Sequence, residues 1–433
     1  MAQSIESRWD AIPRSLSDRL PIRPNWPLLL FIAMIPLQNI YLGKLPSLGT
    51  GLNFINIMIF MSLIVWKTRP ECALPTDTKL HAPLYAYMAI FVCSTLYGIL
   101  YLGVLGDKHF LALKDQLLPM FLFFVVLNSV RDRRGIVWMI TATSLPLPYI
   151  FHVFRSQLSW FMSWHYAEEM RLINGTFMNL GSNEISAFYA AYTLVLAALF
   201  YYIKSLRARA VLAALMGFNL YCLLYSQSRG SWLAFLGGLA IMGWCFNKKA
   251  AVAAGVAVMI FSSALLTVLP VSVQERFSTI FVEEGEERDR SAESRFVIWE
   301  VAFKKYKDSP VFGIGFHSFH HVNPYEGKDT HNYFVKVLTE QGAVGLLILL
   351  VIFWRSLVAS RSLFYRTSDP LFKALGLGML GCITTFLIGN MFGDRFSHYP
   401  LVTYFWVYLA LVLRALFLCE AAEKLPETNT ARV

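Results

Sequence analysis

Runs of about 20 apolar residues, each enough to cross a bilayer as a helix, recur along this chain and leave little room for another architecture. They lie near residues 26–43, 52–66, 82–104, 115–130, 135–154, 184–203, 210–226, 231–246, 250–270, 335–354, 372–392 and 399–418. Such a series predicts an all-α polytopic integral membrane protein with about 12 transmembrane helices. Composition agrees: 56% of the 433 residues are hydrophobic and 15% charged, whereas a soluble domain is nearer a quarter charged. The first 25 residues are polar, carry Arg8, Arg14, Arg19 and Arg23, and show no apolar core of a cleavable signal. The hydrophobic pattern shows no strong internal repeat.

The net charge of +10 follows from basic loops rather than from a nucleic-acid surface, since no basic, aromatic-studded soluble domain is present to carry one. Arg131, Arg133 and Arg134, then Lys204, Arg207 and Arg209, then Lys248 and Lys249, and finally Arg355, Arg361, Arg366 and Lys373 fall on one side of the bilayer. The positive-inside rule makes that side cytoplasmic, with both termini on it. The expected organisation is a cytoplasmic segment 1–25, nine spans over 26–270, a large external loop 271–334, three spans over 335–418 and a cytoplasmic tail 419–433. The six cysteines have no CxxC spacing, and five sit in apolar runs as small hydrophobes.

Loop 271–334 carries more acidic than basic residues, with EEGEERDR at 283–290 reading as a solvated charge run. Within it, SRFVIWEVAFKKY places Phe296, Trp299, Phe303 and Tyr306 at helical spacing. Ser291 or Ser294 would cap that helix, and Asp308-Ser309-Pro310 would end it. The loop is expected to fold back as an ordered cap.

Chemistry concentrates at the external boundary. Arg229, in YSQSRGSW, sits at the hinge between two apolar runs, where an arginine either snorkels to headgroups or grips a phosphate with its fork. Arg295 opens the amphipathic helix, with Glu293 and Glu300 near enough for surface ion pairs. His317, His320 and His321 cluster in a turn-like stretch without cysteines or a carboxylate pair, so metal binding is not expected. His331, in THNYF, is expected in the first turn of a helix capped by Asp329 or Thr330, where the helix dipole would keep its ring neutral and fit to act as a base. Glu340 lies nine residues on, which in a regular helix is half a turn round and about 13 Å further along. It is expected to hydrogen-bond to neighbouring helices, with Gly342 and Gly345 permitting close packing. Arg171, Asn183, Asp394 and Arg395 are secondary candidates, the last two in FGDRFSHYP, where they are close enough in sequence to pair with each other.

The stretches SQSRGSWLAF, SRFVIWEVAFKKYKDSPVFGIGFHSF and THNYFVKVLTEQGAVGLLILL together resemble the O-antigen ligase and polymerase superfamily of bacterial envelopes. GTFMNLGSNEISAFYA also looks like that family's "Gly-x-Phe … Asn" segment. The likeness is most specific over about 225–350. It implies a glycosyltransferase of the inner membrane with its site on the periplasmic side. The donor would be a glycan on undecaprenyl diphosphate and the acceptor a lipid A–core hydroxyl, with membrane lipid around both, no nucleic-acid partner and no metal or other cofactor. By residue match, Arg229 and Arg295 would hold the diphosphate and His331 would deprotonate the attacking hydroxyl, with inversion. An O-antigen polymerase or a protein O-oligosaccharyltransferase of the same superfamily is the nearest alternative. A transporter, expected to show broken helices and repeats, is a more distant one.

Overall fold

The computed structural model describes residues 23–45, 53–69, 72, 78–102, 107–178, 180–260, 269–278, 290–325 and 329–423. It is 80% helical, with no strands among the described residues. Among the described residues the first helices are α1 (Trp26–Met34), α2 (Gln38–Tyr41), α3 (Phe54–Thr68) and α4 (His81–Leu102). They are followed by α5 (Asp107–Ser129), α6 (Arg133–Ser144), α7 (Leu147–Gln157) and α8 (Trp160–Trp164). A 3-10 turn, Glu168–Leu172, leads to α9 (Ser182–Tyr202), α10 (Leu206–Tyr225), α11 (Arg229–Phe246) and α12 (Lys248–Ile260). Then come α13 (Val271–Ser278), α14 (Arg290–Asp308) and α15 (Phe319–Val322). The last three are long: α16 (Tyr333–Arg366), α17 (Pro370–Gly389) and α18 (Tyr399–Glu423).

Among the described residues eight helices are long and apolar enough to cross a membrane, counting α6 and α7 as one 25-residue unit. The remaining apolar runs are interrupted or short. Run 26–43 is cut into α1 and α2 at Leu37, just after Pro36, as a proline in a helix interior dictates. Run 52–66 gives only the 15-residue α3, and 261–268 lies outside the described residues. Charge run 283–289 and the side chains of Ser291 and Ser294 lie outside them too.

Helices α9, α17 and α18 form the centre, their apolar side chains almost wholly buried. Small residues let them approach: a Cβ on Gly378 would lie 2.9 Å from the Cα of Val195, and one on Gly238 would lie 2.8 Å from the carbonyl oxygen of Gly381. At one end of the bundle Arg133 pairs with the buried Asp369, which also caps α17. At the other end the start of α16, the α17–α18 turn, the start of α9 and the α10–α11 break come together. There Tyr333 N–H donates to the Asn390 carbonyl and the Ser182 hydroxyl to the Ser226 carbonyl.

Helix α16 is not continuous. Gly342 adopts φ 69° and ψ −171°, and the helix breaks there. The backbone of 310–315 fills the break: Ile314 and Gly315 donate to the carbonyls of Thr339 and Glu340, and Ala343 and Val344 donate to those of Pro310 and Val311. The expectation that Gly342 and Gly345 serve helix packing is therefore corrected. A Cβ on Gly342 would meet the Val311 carbonyl oxygen at 2.2 Å, while one on Gly345 would meet the side chain of Gln341 in its own helix.

Candidate functional site

His331 lies outside α16, not in its first turn. The N-cap is Asn332, whose side-chain oxygen accepts the N–H groups of Phe334 and Val335. His331 itself takes a left-handed φ of 50°, a conformation uncommon for a side chain of this kind. Its ring is open to solvent on one side. Burial of the rest, and next the Arg295 guanidinium, lower its pKa below the ordinary 6.5, while Asp329 and Glu184 act in the opposite sense. The ring is thus kept neutral, chiefly by its surroundings rather than by a helix dipole.

Arg295 reaches this place because α14 runs alongside the first half of α16. The indole N–H of Trp299 donates to the Thr330 carbonyl at 2.8 Å, and the Thr339 hydroxyl reaches the Ala302 carbonyl at 3.4 Å. Ile298, Ala302, Ile314, Phe319 and Val335 form a small separate core at this contact. Arg295, Ile298 and Ala302 share one helical face. Phe296 and Phe303, expected on the buried stripe, are instead 67% and 42% exposed.

Arg395 is buried in the α17–α18 turn and pairs with Glu184 at 3.1 Å rather than with its neighbour Asp394. Burial lowers its pKa from the ordinary guanidinium value, while Glu184 opposes that shift. The other oxygen of Glu184 accepts the Gly181 N–H at 2.9 Å, fixing the start of α9. Asn390 shapes the turn by accepting the N–H groups of Arg395 and Phe396 on its side-chain oxygen. A Cβ on Gly393 would lie 2.7 Å from the guanidinium carbon of Arg395, so the side chain folds back over a glycine.

Asp394 instead meets Lys336, at 2.5 Å, and Lys336 also holds Asp329 at 3.0 Å. The Asp394 side chain is 8% exposed and that of Asp329 38%. Burial pushes Asp394 up to about 7 against the pull of Lys336. Asp329 is held below the usual carboxylate range: burial alone would raise it, but Lys336 outweighs that.

One turn on from Lys336, Glu340 is buried and accepts the Phe319 N–H at 3.1 Å. Its partner is the start of α15, a short helix within segment 271–334, rather than another long helix of the bundle. His317, His320 and His321 are joined by His109 from α5, with ring centroids 5.4 Å (His109–His317) and 3.8 Å (His320–His321) apart. Burial and the neighbouring imidazoles push His317 down to about 3 and His320 to about 4. Among the described residues no group of three or more His, Cys, Asp or Glu is arranged to hold a metal ion.

The structure thus gathers His331, Arg295 and Arg395 with Glu184. Arg229 starts α11, and the adjoining Gly230 packs against Phe392, three residues before Arg395. Asn183 is in the first turn of α9 beside Glu184, its carbonyl accepting the Ser186 hydroxyl. Arg171 stands apart, with Glu168 at 3.6 Å and the Tyr166 hydroxyl at 3.4 Å. Sequence reasoning missed Glu184, Lys336 and His398. The last is pushed by burial down to about 4, with Glu184 opposing that shift. A small cavity of ≈ 10 Å³ between Tyr87, Gln116 and Tyr333 has room for about one water.

Fold and site together define a multi-pass helical membrane protein with a charged, histidine-bearing centre at one end of its bundle. Residues 212–350 match the family model described as O-antigen ligase, so that segment is similar to this family. That family's activity is glycosyltransferase-like, of the ligase or polymerase kind, acting on lipid-linked glycans and membrane-lipid acceptors. No curated protein matches the chain. The matched segment holds Arg229, Arg295, His331 and Glu340, whereas Glu184, Asp394 and Arg395 lie outside it.

Proposed function

We propose that the protein is an O-antigen ligase that transfers a polysaccharide from undecaprenyl diphosphate to a lipid A–core hydroxyl at the periplasmic face of the inner membrane. The observation that carries this reading is a solvent-open imidazole, held neutral, beside Arg295 and within the field of the Arg395–Glu184 pair. His331 takes the proton of the acceptor hydroxyl as its oxygen attacks the anomeric carbon. The bond from that carbon to the diphosphate breaks with inversion, and the leaving diphosphate carries off the electron pair. Arg295 and Arg229 hold the diphosphate and stabilise its growing charge, a role fork-shaped guanidinium groups suit. With a good leaving group, positioning and charge stabilisation suffice.

The polymerase and protein O-oligosaccharyltransferase readings use the same groups and differ only in acceptor. A transporter would claim the break in α16, but the 310–315 backbone fills that break, which favours a fixed support over a path.

The test is purified protein supplied with polyprenyl-linked glycan and either lipid A–core or a second polyprenyl-linked unit. Extension of lipid A–core is expected, and extension of the second unit alone would make it a polymerase. His331→Ala should still bind donor but transfer about 10²–10⁴-fold more slowly. Near-normal transfer by that variant would remove the base role.

A further inference from the structure

Lys336 is the ion-paired hub of the cluster behind His331, and the mechanism above does not use it. Its ammonium sits between Asp329, two residues before His331, and Asp394, next to Arg395. Its own backbone belongs to the first turns of α16. The segment 329–336 and the turn at Asp394, 58 residues from Lys336, therefore converge on one nitrogen. The Asp394 carboxylate extends the link by accepting the Ser397 hydroxyl, and Asp329 by accepting the Thr330 N–H at 2.7 Å. With two carboxylates bound, Lys336 is committed to protein partners rather than to a phosphate. Replacing it would leave the buried Asp394 and the partly exposed Asp329 without their shared cation, and neighbouring acids repel.

We infer that Lys336 is a positioning residue: it ties the segment carrying His331 to the turn carrying Arg395, so that base and guanidinium keep one fixed separation. The inference rests on the proposed transfer reaction and adds a residue that never touches substrate. A misplacement of about 1 Å is enough to cost catalysis on the order of a hundred-fold, and a bridge through one buried cation prevents such drift.

The test uses the full-length protein with Lys336→Met, Lys336→Arg and the charge-compensated Lys336→Met/Asp394→Asn. Three quantities are read: transfer kinetics, thermal midpoint, and the pH midpoint for carbethoxylation of His331 by diethyl pyrocarbonate, followed by mass spectrometry. Lys336→Met should lower kcat on the order of ten- to a hundred-fold while changing donor KM little. The His331 midpoint should rise, because the Asp329 charge is no longer balanced. Lys336→Arg should recover part of kcat. The double variant should recover thermal stability but not kcat. Full recovery of kcat there would reduce Lys336 to neutralising buried charge and overturn the inference, as would a loss confined to KM or an unchanged His331 midpoint. If the wild-type protein transfers no glycan yet the midpoint moves as stated, the reaction assignment falls while the positioning geometry stands.

Discussion

Around His331, cations and anions act in opposition. Arg295 and Arg395 push against protonation, while Asp329 and Glu184 favour it, and burial tips the balance toward the neutral ring. A base is active when unprotonated, so its pKa sets the acid limb of the rate profile. Because the pKa in the ligand-free protein is below 6.5, the acid limb of kcat/KM, which reports the free enzyme, should lie below that value. In Arg295→Gln that limb should move to higher pH, since a guanidinium that opposes protonation is gone. A limb that stays in place would show that Arg295 does not face the ring in solution. At this scale His331, Arg229 and Arg295 were singled out in the sequence, and the roles proposed for the two arginines came from the family resemblance. Glu184 was not, because its partner Arg395 is 211 residues away and no local pattern marks a pair so distant. His331 itself was misplaced by one cap: Asn332 satisfies the first N–H groups better than the Asp329 or Thr330 first expected.

Helix α14 illustrates what periodicity can and cannot say about an element. The spacing gave a helix ending at Asp308, and α14 ends there. It did not give the face, because an apolar stripe reports an apolar environment, not a particular partner. The inward face is set by small and branched residues, Ile298 and Ala302, which fit against Val335 of α16 and Phe319 of the loop. The break in α16 was equally hidden, since Gly342 reads as a packing glycine until the 310–315 segment is seen against it. Its positive φ and the 2.2 Å approach of the Val311 oxygen leave no place for a side chain. Gly342→Ala should lower the thermal midpoint in detergent, with a loss above about 1 kcal/mol from backbone strain alone. Gly217→Ala is the control: it lies within α10 with nothing within 4 Å of the added Cβ, and should be neutral or stabilise by about 0.5–1 kcal/mol. Equal effects of the two substitutions would contradict the break.

Across the whole molecule the site draws on four regions: the start of α9, the α10–α11 break, the α14–α16 segment and the α17–α18 turn. The family match covers the second and third, yet Glu184 and Arg395 from the outer two join the charge set. Arg395→Met should therefore be costly, on the order of 1–3 kcal/mol, because the partly exposed Glu184 loses its buried partner while keeping the Gly181 N–H. Glu184→Gln combined with Arg395→Met should recover much of that stability, measured by thermal unfolding, while transfer stays impaired. Recovery of both would assign the pair to the scaffold alone. The break at Gly342 also carries a consequence for how the protein is made. Residues 310–315 leave the ribosome before residues 339–344, so the plug exists before the gap it fills. No later domain has to return to complete this helix. Each new copy can close α16 as it emerges, and Arg395 is then the last charged member of the site to arrive.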